Sequence, residues 1–222
     1  MSYGLASVEP DGPLFRLGRH PDPWTWPPWS AAAADGTFGN RYDDPDASYR
    51  VLYASSQRVG AFLETLARFR PDLEVLAELE RIDGEEEPTP AVPRTWLQGR
   101  LIGEANAEGR FVDVGDAASL ATLRTALAAS AIHHGLDEID AAAIRLRAPR
   151  AFTQQVSRYV YEHGSFVGIR YRSRLGDDVL NWAVFEPVPG GASPLVGTTA
   201  AAIEADDPDL RAALELLGLA LA

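Results

Sequence analysis

Residues 49–56 read Tyr-Arg-Val-Leu-Tyr-Ala-Ser-Ser, and the rest of the chain is best understood from this run. Its β-branched and aromatic residues predict a mostly buried strand over 49–55. The apolar residues that follow recur at helical spacing, so a helix is predicted from about Ser56 to Phe69. Ser55 or Ser56 is the expected N-cap, because a serine hydroxyl can accept a hydrogen bond from the first free amides of a helix. The run therefore predicts a strand that passes directly into a helix.

Elements of both kinds are predicted on either side of this run. The predicted strands lie at about 13–17, 95–102, 111–114, 144–147, 166–173 and 179–185, and the predicted helices at about 73–79, 117–134, 152–162 and 208–221. Gly135 is the expected C′ residue of the helix over 117–134. The sequence thus predicts an α+β fold in which small β-sheets are flanked by helices. One domain over 1–222 is expected, with its core at about 14–186 and a C-terminal extension over 187–222 that ends in a helix.

Two segments between these elements are expected to be irregular. Residues 20–34 hold four prolines and three tryptophans, a composition that excludes a regular helix or a central strand. Such an aromatic loop either packs over an edge of the core or forms the wall of a pocket. The acidic segment Asp83–Pro93 is expected to separate a helix from a strand.

Length and composition are those of a folded globular protein. Of the 222 residues, 46% are apolar, which is enough for a hydrophobic core. No apolar run approaches about 18 residues, so no membrane-spanning helix is expected, and residues 1–10 lack the features of a secretory signal. The chain has no cysteine, which excludes disulfides and thiolate metal sites and agrees with an expected cytoplasmic location.

Charge excludes several classes of function. Arginine supplies all 20 basic residues against 32 acidic ones, which gives a net charge of −12. A general affinity for nucleic acid or anionic membranes is therefore not expected. The absence of lysine excludes a Walker A motif and Schiff-base chemistry. Any bound anion must be held by arginine or by backbone amides, and the four histidines do not suggest a metal site.

The residues that could carry chemistry form an ordered set rather than one short motif. They are Phe15-Arg16, Gly39-Asn40-Arg41-Tyr42, Tyr53-Ala54-Ser55 followed by Glu64, Gly168-Ile169-Arg170-Tyr171-Arg172-Ser173, and Asn181-Trp182-Ala183-Val184-Phe185. This order resembles the RES domain family, the toxin halves of bacterial RES–Xre toxin–antitoxin pairs, over about residues 14–186. Family members commonly have Gly-Arg-Phe or Gly-Arg-Trp where this chain has Gly-Asn-Arg-Tyr.

The resemblance implies a fold akin to that of ADP-ribosyltransferases and an enzyme that destroys NAD+, by hydrolysis or by cleavage with phosphate. NAD+ would be a substrate, inorganic phosphate a possible co-substrate, and no resident cofactor or metal would be needed. Glu64 would be the catalytic carboxylate, supported by Arg16 and Tyr53. The other implied binding residues are Arg41, Tyr42, Ser173 and Asn181. The implied partner is an Xre-type helix-turn-helix antitoxin, and a homo-oligomer is left open.

These residue types suit the implied chemistry. Breaking the bond between nicotinamide and ribose develops an oxocarbenium-like charge, which one carboxylate can stabilise while a neutral group leaves. Arginines can clamp a pyrophosphate, and Tyr53 can pack on a ring of the substrate.

Structural roles remain open for the same residues. Glu64 and Arg68 have the spacing of an i,i+4 surface ion pair, and Arg41 could pair with Asp43 or Asp44. Core packing is open for Tyr53, a turn for Ser173 and an edge hydrogen bond for Asn181. Two other functions also stay open, namely transfer of ADP-ribose to a protein and a non-catalytic RES-like module that only binds a partner.

Overall fold

The strand predicted from residues 49–55 lies inside the main sheet. The structure, a computed structural model, describes residues 4–79, 89–163 and 165–222. Its strands, in chain order, are β1 (Ser7–Val8), β2 (Leu14–Arg19), β3 (Val51–Ser55), β4 (Ala91–Val92), β5 (Arg100–Ala107), β6 (Arg110–Asp113), β7 (Phe166–Arg172), β8 (Leu180–Phe185), β9 (Leu195–Ala202) and β10 (Ala220–Leu221).

Helices are distributed along the whole chain. They are α1 (Arg58–Leu66), α2 (Leu73–Leu79), α3 (Arg94–Gln98), α4 (Ala117–Ala126), α5 (Ala128–His133), α6 (Arg150–Glu162) and α7 (Pro208–Leu217). Short 3₁₀ turns form at Trp29–Ala31 and Ala67–Phe69, and Ala143–Arg147 is a π-helix.

The large sheet brings together strands that are distant in sequence. Within the described ranges its order is β1-β6-β7-β8-β3-β2-β5-β9, and β10 pairs with β4 separately. Its neighbouring strands are antiparallel, except that β6 and β7 are parallel. Asn181 of β8 pairs with Ser55 of β3 on one side and with Tyr171 of β7 on the other. Because directly paired residues point to the same face of a sheet, these three side chains form one row.

Helices pack on the sheet in two separate clusters. Phe62 of α1 and Leu210 of α7 are fully buried in one cluster, where the two helices pack on each other. Phe152 of α6 is fully buried in a second cluster with Ile169 of β7. Burial of each such side chain contributes about 1.5–3 kcal/mol, so the apolar face of each helix fixes its position on the sheet.

The α+β class predicted from the sequence is confirmed, with most strands joined in one large sheet. The predicted elements at 49–55, 73–79, 152–162 and 166–173 are present with small shifts of their ends. Gly135 follows α5 with a φ of +74°, as expected for a C′ glycine. Most of the predicted acidic break at 83–93 lies outside the described residues.

Three of the predicted elements differ from the observed local structure. Residues 94–98 form α3 instead of the start of a strand, and 143–147 form a π-helix instead of a strand. The alternation of Ile144 and Leu146 with arginines is typical of a strand and led to that prediction. In the structure the Arg41 side chain donates to carbonyls of this segment and holds it in the helical conformation. The helix over 117–134 is divided at Leu127, for which the structure offers no explanation.

The predicted serine cap of α1 is wrong. Gln57 is the N-cap and makes no side-chain cap bond. The Ser55 hydroxyl donates to the Leu180 carbonyl at 3.0 Å, and the Ser56 hydroxyl accepts from Nε1 of Trp182 at 2.7 Å. Both serines are therefore held by strand β8, a tertiary contact that local sequence does not encode.

Candidate active site

A cleft of about 1170 Å³ lies against β2 and β3. Its lining comes from these strands, from α1, from the loop over 20–31, and from segments near 40–41, 148–153 and 171–181. They meet because β2, β3 and β8 are neighbours in the sheet. The volume slightly exceeds the range of about 300–1,000 Å³ that is usual for small-molecule sites, which leaves room for a ligand of dinucleotide size.

The cleft is basic although the chain is acidic overall. In the part of the chain that the structure describes, the lining has two carboxylates, Asp22 and Glu64, and eight arginines. The arginines are Arg16, Arg19, Arg41, Arg68, Arg100, Arg150, Arg172 and Arg174. A chain with a net charge of −12 thus concentrates positive charge in one concave site, and such a site attracts anions.

Glu64 presents its carboxylate to this cleft from helix α1. Its Oε1 accepts a hydrogen bond of 2.7 Å from Nδ2 of Asn181. Among the ion pairs formed by described residues, none joins Glu64 to Arg68, so the surface-pair interpretation is not supported. A neutral amide orients the carboxylate, which keeps its negative charge available to a ligand.

Asn181 connects Glu64 to the sheet and is only 1% exposed. Because Nδ2 donates to a carboxylate, the amide orientation is defined and Oδ1 is left to accept. This oxygen is buried and has no hydrogen-bond partner within the described ranges. A buried acceptor without a donor costs free energy, and this oxygen lies beneath the surface of the cleft, beside the hydrogen bond to Glu64.

Arg16 is a partly buried cation that holds the backbone of two elements. Its Nε donates to the Pro23 carbonyl and its Nη1 to the Tyr53 carbonyl, both at 2.8 Å. Burial lowers the pKa of Arg16 to about 10, which still leaves the side chain charged at neutral pH. No carboxylate pairs with it among the described residues, so part of its charge faces the cleft.

Tyr53 lies beside Arg16 and fixes the loop that follows Gly39. Its hydroxyl donates to Oδ1 of Asp43 at 2.8 Å and accepts from the amide of Tyr42 at 2.9 Å. Burial and then the charge of Asp43 raise the pKa of Tyr53 well above 10. The hydroxyl therefore stays protonated and positions the loop, while the residue lines the cleft.

Arg41 borders the cleft but does not pair with Asp43 or Asp44. Its Nη1 donates to the carbonyls of Ile144 at 3.2 Å and of Arg145 at 2.8 Å. It thereby connects the loop at 40–43 to the π-helix, whose last carbonyls lack partners within the helix.

Two residues predicted to bind the substrate do not line the cleft. Tyr42 is fully buried in the core, and its ring centroid lies 4.9 Å from that of Tyr171. Ser173 is 1% exposed, and its hydroxyl accepts from the amide of Leu175 at 2.9 Å in a turn. Core packing buries the Tyr42 side chain, and the turn engages the Ser173 hydroxyl. Neither side chain therefore contacts a ligand in the cleft.

Tyr171 lines the cleft, although the sequence analysis named it only within its motif and gave it no catalytic or binding role. Burial raises its pKa well above 10, and the charge of nearby Glu64 adds to the effect. Its protonated hydroxyl is a potential donor close to the carboxylate. Cross-strand pairing with Asn181 places it there, and only strand register could have indicated this.

The loop with three tryptophans has both of the roles that its composition suggested. Trp24 is buried and packs on Gly103, where an added Cβ would lie 2.5 Å from its Nε1. That nitrogen donates to the Thr199 carbonyl at 3.2 Å. Trp26 and Pro27 line the cleft.

An ion pair behind this loop fixes its position. Arg50 pairs with Glu186, and its Nη1 donates to the Pro27 carbonyl at 3.0 Å. The guanidinium also lies 5.6 Å from the ring centroid of Trp29. The hydrogen bond from Arg50 lowers the pKa of Glu186 below its ordinary 4.5.

The described ranges contain neither a metal-binding group of side chains nor a membrane-spanning helix. No group of three or more histidine or acidic side chains is arranged to hold a metal ion there. None of the helices described is long and apolar enough to span a lipid bilayer.

Comparisons with known proteins show a family from the sequence and a similar fold from a solved structure. The RES domain model matches residues 13–201. A chain from the crystal structure of the M. tuberculosis MbcT–MbcA toxin–antitoxin complex is similar in structure, with a TM-score of 0.53 and 13% sequence identity. The comparison covers 95% of this chain and 91% of that chain, and at this identity it shows the fold alone. No curated protein matches the sequence.

Proposed function

Because this chain belongs to the RES domain family, we propose that it is the toxin of a toxin–antitoxin pair and cleaves the nicotinamide–ribose bond of NAD+. One observation carries the proposal. Glu64, with its carboxylate oriented by Asn181, is one of two acidic side chains described in a cleft that holds eight arginines. Such a site suits a ligand that has both phosphate groups and a centre of developing positive charge.

The reaction needs few groups. When the bond from nicotinamide nitrogen to ribose C1′ breaks, the nitrogen takes the bonding electrons and nicotinamide leaves as a neutral molecule. The ribose carbon becomes oxocarbenium-like, and the Glu64 carboxylate stabilises that charge. Water or phosphate then forms the new bond at C1′. The protein supplies charge and orientation, for which neither lysine nor a metal is needed.

Other residues of the cleft support this arrangement. Arg16 holds Pro23 and Tyr53 at their carbonyls and so keeps the aromatic loop beside strand β3. Nδ2 of Asn181 orients the Glu64 carboxylate, which would face the ribose that carries the bond to be cleaved.

Turnover of NAD+ by the purified protein tests the proposal. NAD+ is supplied with and without inorganic phosphate, and nicotinamide, ADP-ribose and any phosphorylated product are separated by chromatography. Release of nicotinamide supports the proposal, and dependence on phosphate identifies the acceptor. Tight binding of NAD+ without turnover in either buffer would contradict the proposed enzyme.

We further propose that an Xre-type helix-turn-helix antitoxin restrains this activity. An enzyme that consumes NAD+ endangers the cell that makes it, so control by a partner is expected. The basic cleft of an acidic chain offers a site for acidic side chains or a terminal carboxylate of such a partner. The similar structure from M. tuberculosis comes from a toxin–antitoxin complex, which supports the proposed pairing.

A further inference from the structure

The geometry points to a phosphate-binding site formed by Arg19, Arg68 and Arg100, apart from the arginines that the sequence singled out. This inference deepens the proposed function and rests on it for the choice of a phosphate-bearing ligand. All three side chains line the cleft.

The arginines selected from the sequence are partly engaged elsewhere. Arg16 donates to the carbonyls of Pro23 and Tyr53. Arg41 donates to two carbonyls of the π-helix. A guanidinium that holds backbone carbonyls has fewer donors left for the two-pronged grip that arginine gives to phosphate. Other arginines of the cleft are better placed for that task.

Strand pairing and an aromatic stack assemble the three arginines. Arg19 of β2 and Arg100 of β5 are direct cross-strand partners. The guanidinium of Arg100 lies 3.6 Å from the Trp96 ring centroid, and its Nη1 donates to the Trp96 carbonyl at 2.9 Å. Trp96 also contacts Phe69 edge-on, at 5.3 Å between ring centroids. Phe69 directly follows Arg68, so this contact brings that arginine to the pair.

The cluster has no negative counterpart within the protein as described. The side chains of Arg19 and Arg68 make no hydrogen bond or ion pair among the described residues, and the side-chain hydrogen bond of Arg100 is to a carbonyl. Burial first, and then the positive charges of Arg19 and Arg68, lower the pKa of Arg100. Three cations that repel one another are stabilised when an anion binds between them.

A phosphate group is the ligand that fits this cluster best. It offers several oxygen acceptors and up to two negative charges, and arginine binds such groups through paired N–H donors. The stack on Trp96 fixes one of the three guanidinium groups before a ligand arrives, which reduces the entropy lost on binding. The group could belong to the pyrophosphate of the dinucleotide or be free inorganic phosphate.

Binding of inorganic pyrophosphate, measured by calorimetry at constant ionic strength, tests the site. The variant is Arg19→Gln/Arg68→Gln, which keeps the Arg100–Trp96 stack. Arg211→Gln is the control, because Arg211 is an exposed arginine on α7 outside the cleft lining. We expect the double variant to weaken binding by about tenfold or more and the control to match the wild type. Unchanged binding in the double variant, or equal weakening in the control, would overturn the site.

Competition identifies the source of the phosphate group. In the Glu64→Gln variant, displacement of pyrophosphate by NAD+ assigns the group to the dinucleotide. Binding of inorganic phosphate together with NAD+, lost in the double arginine variant, assigns it to free phosphate. These measurements need no turnover. If the protein binds pyrophosphate as expected but does not cleave NAD+, the site is supported and the proposed function is contradicted. If it cleaves NAD+ without binding pyrophosphate in this way, the function is supported and the site is contradicted.

Discussion

Nδ2 of Asn181 donates a 2.7 Å hydrogen bond to Oε1 of Glu64 and thereby ties helix α1 to strand β8 inside the cleft. The two residues are 117 positions apart in sequence. Asn181 itself is fixed by pairing with Ser55 and Tyr171 on neighbouring strands. A carboxylate held in this way reaches a ligand with little loss of side-chain freedom, which is what charge stabilisation in a reaction requires.

Glu64→Gln should abolish most NAD+ cleavage and leave the fold intact. The amide keeps the shape of the side chain but removes the negative charge that the oxocarbenium-like state requires, so we expect turnover to fall by about a hundredfold or more. Nicotinamide release measures this. Glu215→Gln, on an exposed face of α7, is the matched control and should keep full activity. Near-normal turnover in Glu64→Gln would refute the assignment.

Asn181→Asp should lower turnover near neutral pH more than at acidic pH. The variant places a second carboxylate at hydrogen-bond distance from Glu64, and two negative charges this close repel each other. We expect turnover near neutral pH to fall by about tenfold or more and to recover in part as pH falls, because a shared proton restores the hydrogen bond. A pH–rate profile measures this. Parallel profiles for variant and wild type would show that Asn181 does not act through Glu64.

Arg16→Ala should reduce stability as well as substrate affinity. It leaves the carbonyls of Pro23 and Tyr53 without their donor, and each unsatisfied buried carbonyl costs about 1–3 kcal/mol. Urea unfolding should therefore show a loss of about 2–6 kcal/mol for the two carbonyls together. Arg16→Lys should recover only part of it because an ammonium cannot reproduce the fork. Unchanged stability with reduced NAD+ affinity would instead assign Arg16 to the ligand alone.

The Arg50–Glu186 ion pair should stabilise the protein less as pH falls. Arg50 lowers the pKa of Glu186 below 4.5, so the pair contributes fully above the unfolded value and the contribution disappears as pH drops through the lowered, folded value. The difference in melting temperature between wild type and Glu186→Gln should thus shrink from about pH 6 to about pH 3. Glu138→Gln breaks a more exposed pair with Arg124 and should change melting much less. A difference for Glu186→Gln that stays constant over this range would contradict the assignment.

An antitoxin that occupies the cleft should inhibit in competition with NAD+. Acidic side chains or a terminal carboxylate placed among the cleft arginines would use the charges that the substrate needs. We expect inhibition to be relieved by excess NAD+ at low partner concentration, as measured by steady-state kinetics on the co-purified partner. Inhibition that is insensitive to NAD+ concentration would place the partner elsewhere.

Local sequence predicted the parts of the site that belong to a single element. Residues 49–69 carry a strand and a helix because apolar spacing directly reflects which face of each element is buried. The same spacing put Glu64 on the helix that follows Tyr53, and the absence of lysine and cysteine restricted the chemistry. The structure bears out the placement of Glu64 on this helix.

Only the tertiary structure decided which of these residues contact one another and which acceptors their N–H groups bind. The Asn181–Glu64 contact, the grouping of Arg19, Arg68 and Arg100, and the use of Arg16 on backbone carbonyls all depend on register between distant strands. The same holds for Tyr42 and Ser173, which the core and a turn remove from the cleft. Periodicity in sequence specifies burial within one element, whereas cross-strand register and side-chain convergence are fixed only when many non-local contacts form together.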